Sequence, residues 1–223
     1  MNRVVCLVLL SACRAPEPRA EPFASRIQYA MAETGARGLA IAEVRGGEVN
    51  TVRVFGERDA SGAPLTSNTV MYGASLTKAA FAYLVLMLVD DGVIDLDASI
   101  ESYLPKPLPS YEGYTRRYAP YETLSGDERW RKLTPRMLLT HSGGFANFYF
   151  LEPDRKLHFH FEPGARYAYS GDGFILLQFV LEEGLGLDVG AEMRRRIFEP
   201  FRMARTDLVW REDFANDLAD GWT

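Results

Sequence analysis

The chain has 223 residues, 47% of them hydrophobic and 25% charged, a balance that supports a packed core and excludes a disordered or collagen-like chain. Thirty acidic residues against 25 basic ones leave a net charge of −5, so no basic field is on offer for a phosphate backbone and nucleic acid is not expected as a partner. Both cysteines, Cys6 and Cys13, fall in the first 13 positions, which leaves the body of the chain without a disulfide framework or a thiolate metal site.

The N-terminus reads as a targeting signal. Asn2 and Arg3 precede an apolar run from Val4 to Leu10, and Leu10-Ser11-Ala12-Cys13 resembles a bacterial lipobox, in which Cys13 is lipidated. The expected product is an exported protein, periplasmic or anchored to a membrane through Cys13, with residues 1–13 as signal and 14–22 as a Pro- and charge-rich tether. Phe23, Ile27, Ala30 and Met31 then predict a helix over 23–33. Strands are expected at 38–44 and 50–55, joined by a turn at Gly46-Gly47. Residues 76–89 are apolar on every face apart from Lys78 and are followed by Gly92, which predicts a buried helix with a glycine stop. The stretch 105–131, rich in Pro, Tyr and charge, has no period and is either a surface excursion or a loop over a cleft. Thr134-Pro135 opens a short helix through Leu139. Residues 157–161 alternate with period two, and further helices are expected over 174–183 and 188–198.

The motif that carries chemistry is Ser75-Leu76-Thr77-Lys78, at the start of the apolar helix. Three-residue spacing places the lysine amine beside the serine hydroxyl. A serine hydroxyl becomes a useful nucleophile only when a base takes its proton, and lysine can serve once burial lowers its pKa from about 10. A lysine inside an unbroken apolar helix is costly unless it has such a task. Downstream, Tyr169-Ser170-Gly171 offers a phenol that could relay a proton, and residues 169 and 171 of an extended stretch face the same way.

Ser75-x-x-Lys78, Leu138-Leu139-Thr140-His141-Ser142-Gly143-Gly144 and Glu162-Pro163-Gly164-Ala165-Arg166-Tyr167-Ala168-Tyr169-Ser170-Gly171 together resemble the β-lactamase-related serine hydrolases, which group class C β-lactamases, D-alanyl-D-alanine carboxypeptidases and esterases. Val93-Ile94-Asp95-Leu96-Asp97 and the stretch 197–206 extend the likeness across residues 23–223. The resemblance implies an α+β fold of the serine β-lactamase and penicillin-binding-protein kind, with an antiparallel sheet lobe and a helical lobe. It implies acyl transfer with Ser75 as nucleophile and Lys78 and Tyr169 as the proton-handling pair, without cofactor or metal. A small-molecule or peptide substrate (an ester, a β-lactam or a cell-wall peptide) and a monomeric state are expected.

Two departures bear on substrate. Gly171 stands where the family often has an asparagine, so a substrate-binding side-chain amide is missing there. The family's third motif, Lys or His followed by Thr or Ser and Gly on a sheet strand, is expected beyond residue 223; the domain is therefore read as partial, with C-terminal strands missing. The alternative function is a non-catalytic protein of the same fold that binds cell-wall fragments. Gly73-Ala74-Ser75-Leu76-Thr77 fails the Gly-x-Ser-x-Gly elbow of α/β-hydrolases at its last position. His158-x-His160 lacks a third ligand cluster for a metal, His141 is expected to bond backbone near the cleft, and Arg194-Arg195-Arg196 reads as the solvated side of a helix.

Overall fold

The computed structural model describes residues 23–113 and 117–221. The signal, the tether and the lipidation expected at Cys13 lie outside the described residues. The chain divides into two compact units, one holding the described residues up to Thr69 together with 218–221, the other Val70–Asp217.

In the first unit, helix α1 spans Phe23–Thr34 and is followed by strands β1, Gly38–Arg45, and β2, Glu48–Gly56. The strands pair antiparallel from Gly38 opposite Gly56 to Arg45 opposite Glu48, with an irregularity after Glu43. Gly46 and Gly47 both take positive φ, 59° and 85°, which a two-residue hairpin turn of the I′ kind requires. Among the described residues the sheet has these two strands alone, and Val44, Val49 and Val52 lie exposed on it. The sheet lobe implied by the resemblance is thus represented by one hairpin.

The second unit carries the hydrophobic core. Helix α2, Thr77–Asp90, buries Phe81, Leu84, Val85 and Leu88, an i, i+3, i+4, i+7 stripe. It is not enclosed on every side as its composition suggests: Leu76 just ahead of it is 82% exposed, and Tyr83 and Leu86 on its outer face are about half exposed. The helix ends as expected. Gly92 turns left-handed at φ 71°, and the N–H groups of Val93 and Gly92 donate to the carbonyls of Leu88 and Val89 at 2.9 Å each, a Schellman stop.

The aperiodic stretch after α2 is neither a surface excursion nor a lid. It buries Leu108, Tyr111, Tyr118, Tyr121, Leu124 and Trp130, and Tyr111, Tyr118 and Tyr121 surround Phe179 with ring centroids 4.7–5.0 Å away. Short 3-10 turns carry Leu108, Tyr121, Leu124 and Trp130 inward, so no long helical period forms to announce them.

Helix α3, Pro135–Leu139, is capped by the Thr134 hydroxyl, which accepts from Met137 N–H at 3.2 Å. Residues 157–161 form no strand and bend at 160 and 161, but the period-two alternation holds in burial, with Leu157 and Phe159 buried and His158 and His160 exposed. Helix α4, Gly171–Phe179, begins three residues before the expected start because Ser170 Oγ accepts from Gly173 N–H at 3.0 Å and caps it there. A π-helical turn over Val180–Gly184 prolongs it. Helix α5, Val189–Met193, likewise runs into a π-helical turn, Arg194–Phe198. No helix of the described residues is long and apolar enough to cross a membrane.

Candidate active site

Ser75 lies on the 3-10 turn Ala74–Leu76 that leads into α2. Ala74 immediately before it holds φ at 42°, left-handed backbone that costs a residue with a Cβ about 1–2 kcal/mol and of the kind that collects at functional sites. One turn on, Lys78 Nζ reaches Ser75 Oγ at 3.3 Å. The Tyr169 hydroxyl donates to the same oxygen at 2.8 Å. The three residues singled out in the sequence therefore meet on one atom.

The surroundings of Lys78 differ from those expected. The side chain is half-buried, and in place of enclosure it has two aromatic faces, with Nζ 5.3 Å from the ring centroid of Tyr169 and 5.6 Å from that of Phe174; such faces attract a cation. Two of the other lysines are engaged elsewhere, Lys132 with Glu162 at 2.9 Å and Lys106 with the Ser110 carbonyl at 3.0 Å. Tyr169 is 39% exposed. Its hydrogen bond with Ser75, then that with Lys78, draws its phenol below the usual value of 10.

His141 holds Tyr169 in place. Its backbone is left-handed, φ 57°, and its carbonyl accepts from Ala168 N–H at 2.8 Å while Nδ1 accepts from Ser170 N–H at 3.1 Å. The ring lies 4.4 Å from that of Tyr169 and 5.1 Å from that of Phe174. Burial, aided by the charge of Lys78, pushes the imidazole below 6.5, which suits a neutral ring whose Nδ1 accepts. The expectation that His141 bonds backbone beside the cleft is met.

Gly171 lines the same cleft as Ser75 and Lys78, an opening of about 470 Å³ walled by Phe81, Phe148, Phe174, Ile175 and Leu208, with Gln178 among its polar groups. A Cβ at residue 171 would meet the ring of Phe148, 2.5 Å from Cζ and nearer still to Cε1. Three bonds fix that approach. Gly171 N–H donates to the Asn147 carbonyl and to Asn147 Oδ1, at 2.8 and 3.0 Å, and Tyr149 N–H donates to Asp172 Oδ2. Asp172 is 1% exposed, its Oδ1 has no hydrogen-bond partner among the described residues, and burial raises its carboxyl to about 7 against the bond from Tyr149. Sequence reasoning did not find Phe148 or Asn147; the signal was the missing Cβ at 171, which marks close approach as well as a lost amide.

The remaining candidates have structural partners. His158 pairs with Asp154 at 2.8 Å and His160 with Glu152 at 2.9 Å, and no group of described residues could hold a metal ion. The three consecutive arginines are each paired: Arg194 grips Asp207, Arg195 meets Glu192, and Arg196 bridges Glu192 and Asp91.

Among characterised proteins, the chain is 29% identical over 183 residues to a lovastatin esterase of Penicillium rubens, covering 70% of this chain and 44% of that protein. It is 28% identical over 223 residues to the D-alanyl-D-alanine-carboxypeptidase/endopeptidase AmpH of Escherichia coli K12, covering 92% and 55%. The chain thus spans about half the length of these relatives. In fold it is similar to a D-alanine carboxypeptidase AmpC from Burkholderia cenocepacia, with TM-score 0.70, 22% identity, and 89% of this chain against 52% of that one. The octameric penicillin-binding protein homologue from Pyrococcus abyssi gives 0.68, 24%, 90% and 47%. The model of the beta-lactamase family matches residues 23–223, and on that span the chain belongs to the beta-lactamase family, a family of serine hydrolases.

Proposed function

We propose that the protein hydrolyses esters through an acyl-enzyme on Ser75. The observation that carries the reading is the meeting of the Tyr169 phenol and the Lys78 ammonium on Ser75 Oγ. Tyr169, once deprotonated beside Lys78, accepts the Ser75 proton as Oγ attacks the substrate carbonyl. The tetrahedral intermediate collapses, the alkoxide leaves with the proton held by Tyr169, and the acyl group stays on Ser75. Water then attacks the acyl-enzyme, gives its proton to Tyr169 and frees the acid, and the serine oxygen recovers a proton. The Lys78 ammonium beside the ring stabilises the phenolate.

Ester hydrolysis is favoured over amide hydrolysis by Gly171, which contributes no side-chain amide to the cleft, and by the apolar walls around Ser75. The esterase among the relatives supports the same class. Hydrolysis of nitrophenyl butyrate by the full-length protein and by its Ser75→Ala variant tests the reading. Loss of at least about a thousandfold in kcat, in line with removal of a covalent nucleophile, is expected; equal rates would overturn it.

A further inference from the structure

The wall of the cleft opposite Lys78 is a built feature of this chain. Phe148 stands where the side chain of residue 171 would project, and no residue with a Cβ fits at 171 unless the ring moves. The ring cannot swing away freely. Asn147 on one side accepts from Gly171 N–H and Asp172 N–H, at 2.8 and 2.9 Å, and Tyr149 on the other donates to the buried Asp172 carboxylate. Phe148 also stacks on Phe150, with centroids 5.0 Å apart and planes at 12°. The start of α4 and the segment 147–149 are thus stapled around one half-buried phenyl group.

The chemistry of the cleft follows from that staple. Its walls are mainly phenyl and aliphatic, with Thr77 and Gln178 as further polar groups, and Lys78, the one charged group lining it among the described residues, is occupied with Ser75 and two ring faces. An acyl group entering beside Ser75 meets apolar surface and finds no side chain at 171 to hydrogen-bond an amide. A polar amide in such surroundings would lose its water with few side-chain partners, Thr77 and Gln178, to offset the loss, whereas each buried methylene gains about 0.8 kcal/mol.

We infer that Phe148, seated in the space of the missing residue-171 side chain, is a specificity-determining residue that selects esters of uncharged apolar acids of medium length and rejects acyl groups carrying an amide. The inference rests on the acyl-enzyme reading above and deepens it. Its test is made on the full-length protein, with two readouts. The first is labelling of Ser75 by a fluorophosphonate, which reports whether the nucleophile is competent. The second is the ratio of kcat/KM for nitrophenyl hexanoate to that for nitrophenyl acetate, with nitrophenyl N-acetylglycinate as the amide-bearing probe.

Wild type is expected to favour hexanoate over both other esters. Phe148→Ala is expected to lower the hexanoate-to-acetate ratio about tenfold, the weight of one to two methylenes in a pocket, while Ser75 is still labelled by the fluorophosphonate. Phe148→Leu, which keeps an apolar wall, should retain most of the preference. The pair Phe148→Ala with Gly171→Asn, which makes room for an amide, should raise N-acetylglycinate relative to hexanoate. An unchanged hexanoate-to-acetate ratio in Phe148→Ala, with labelling intact, would overturn the selectivity role alone. Absence of Ser75 labelling in wild type would overturn the acyl-enzyme reading, and the role of Phe148 with it.

Discussion

Ser75 Oγ receives a hydrogen bond from a phenol and another from an ammonium, and the two donors are of unequal use in the proposed reaction. Lys78 sits between ring faces that favour a cation, while Tyr169 has its phenol drawn down by the same neighbours. This division makes Tyr169 the group that moves the proton. Tyr169→Phe keeps the ring beside His141 and Lys78 and removes only the hydroxyl, so it should lower kcat about a hundredfold or more with little change in KM. The wild-type rate should climb with pH as the phenol ionises, beginning below the pH at which an ordinary tyrosine would, and the variant should lose that rise. A pH profile of kcat/KM for the two proteins decides the matter; an identical rising limb in Tyr169→Phe would assign it elsewhere.

At the level of elements, the parts legible in the sequence are those with a local cause. The glycine pair of the hairpin, the Schellman stop of α2 and the Thr134-Pro135 start of α3 each depend on a few adjacent residues, and each is found where the pattern places it. The Ser75–Lys78 spacing belongs to the same class, since one helical turn joins the pair. Features that depend on distant partners were not legible. The segment containing Tyr111, Tyr118 and Tyr121 is core because Phe179 lies among these rings, and no period in its own sequence encodes that. Phe148 meets Gly171 only because Asn147 and Tyr149 are tied to the start of α4. The arginine run is solvated at Arg194 and Arg195, whose side chains are 43% and 61% exposed, but its partners were not legible for the same reason: the carboxylates that engage Arg194 and Arg196, at 207 and 91, are remote in sequence. Arg194 makes a bidentate contact with Asp207, whose side chain is 1% exposed, at 2.8 and 3.0 Å. Burial works against the Asp207 charge and the bonds from Arg194 outweigh it, holding the carboxyl below its usual range. Arg194→Met leaves that carboxylate with backbone N–H bonds only, from Val209 and Leu208, and should cost roughly 1–2 kcal/mol in urea unfolding, less than a fully buried pair because Arg194 is 43% exposed. Adding Asp207→Asn should return part of the loss; a double variant no more stable than Arg194→Met would mean that packing, not charge, is what Arg194 supplies.

For the molecule as a whole, the titrating groups pull stability in opposite directions along the pH axis. Carboxylates bonded to arginine, Asp207 and Asp127 among them, hold pKa values below their unfolded ones, so their contribution is present near neutrality and is lost as pH falls through the folded values. Asp172 does the reverse. Its carboxyl is raised from 3.8 to about 7 by burial, so the folded state binds the proton more tightly than the unfolded chain. Stability therefore declines as pH rises from about 4 to about 7, by at most about 4 kcal/mol, the equivalent of the shift. The facing phenol of Tyr121 stays protonated across this range, its own pKa pushed up by burial and by Asp172. His141, lowered by burial, acts against the decline between its folded value and 6.5, since its neutral form is the one the fold binds. The balance predicts a stability maximum on the acid side of neutrality. Asp172→Asn keeps an oxygen to accept from Tyr149 N–H and cannot ionise, so its gain over wild type should be small at pH 4, grow to about pH 7 and level off by pH 8. Thermal unfolding of both proteins across that range measures the difference. A gap that stays constant with pH would show that Asp172 does not titrate in the folded chain, and would remove the buried carboxyl as the cause of the acid-side maximum.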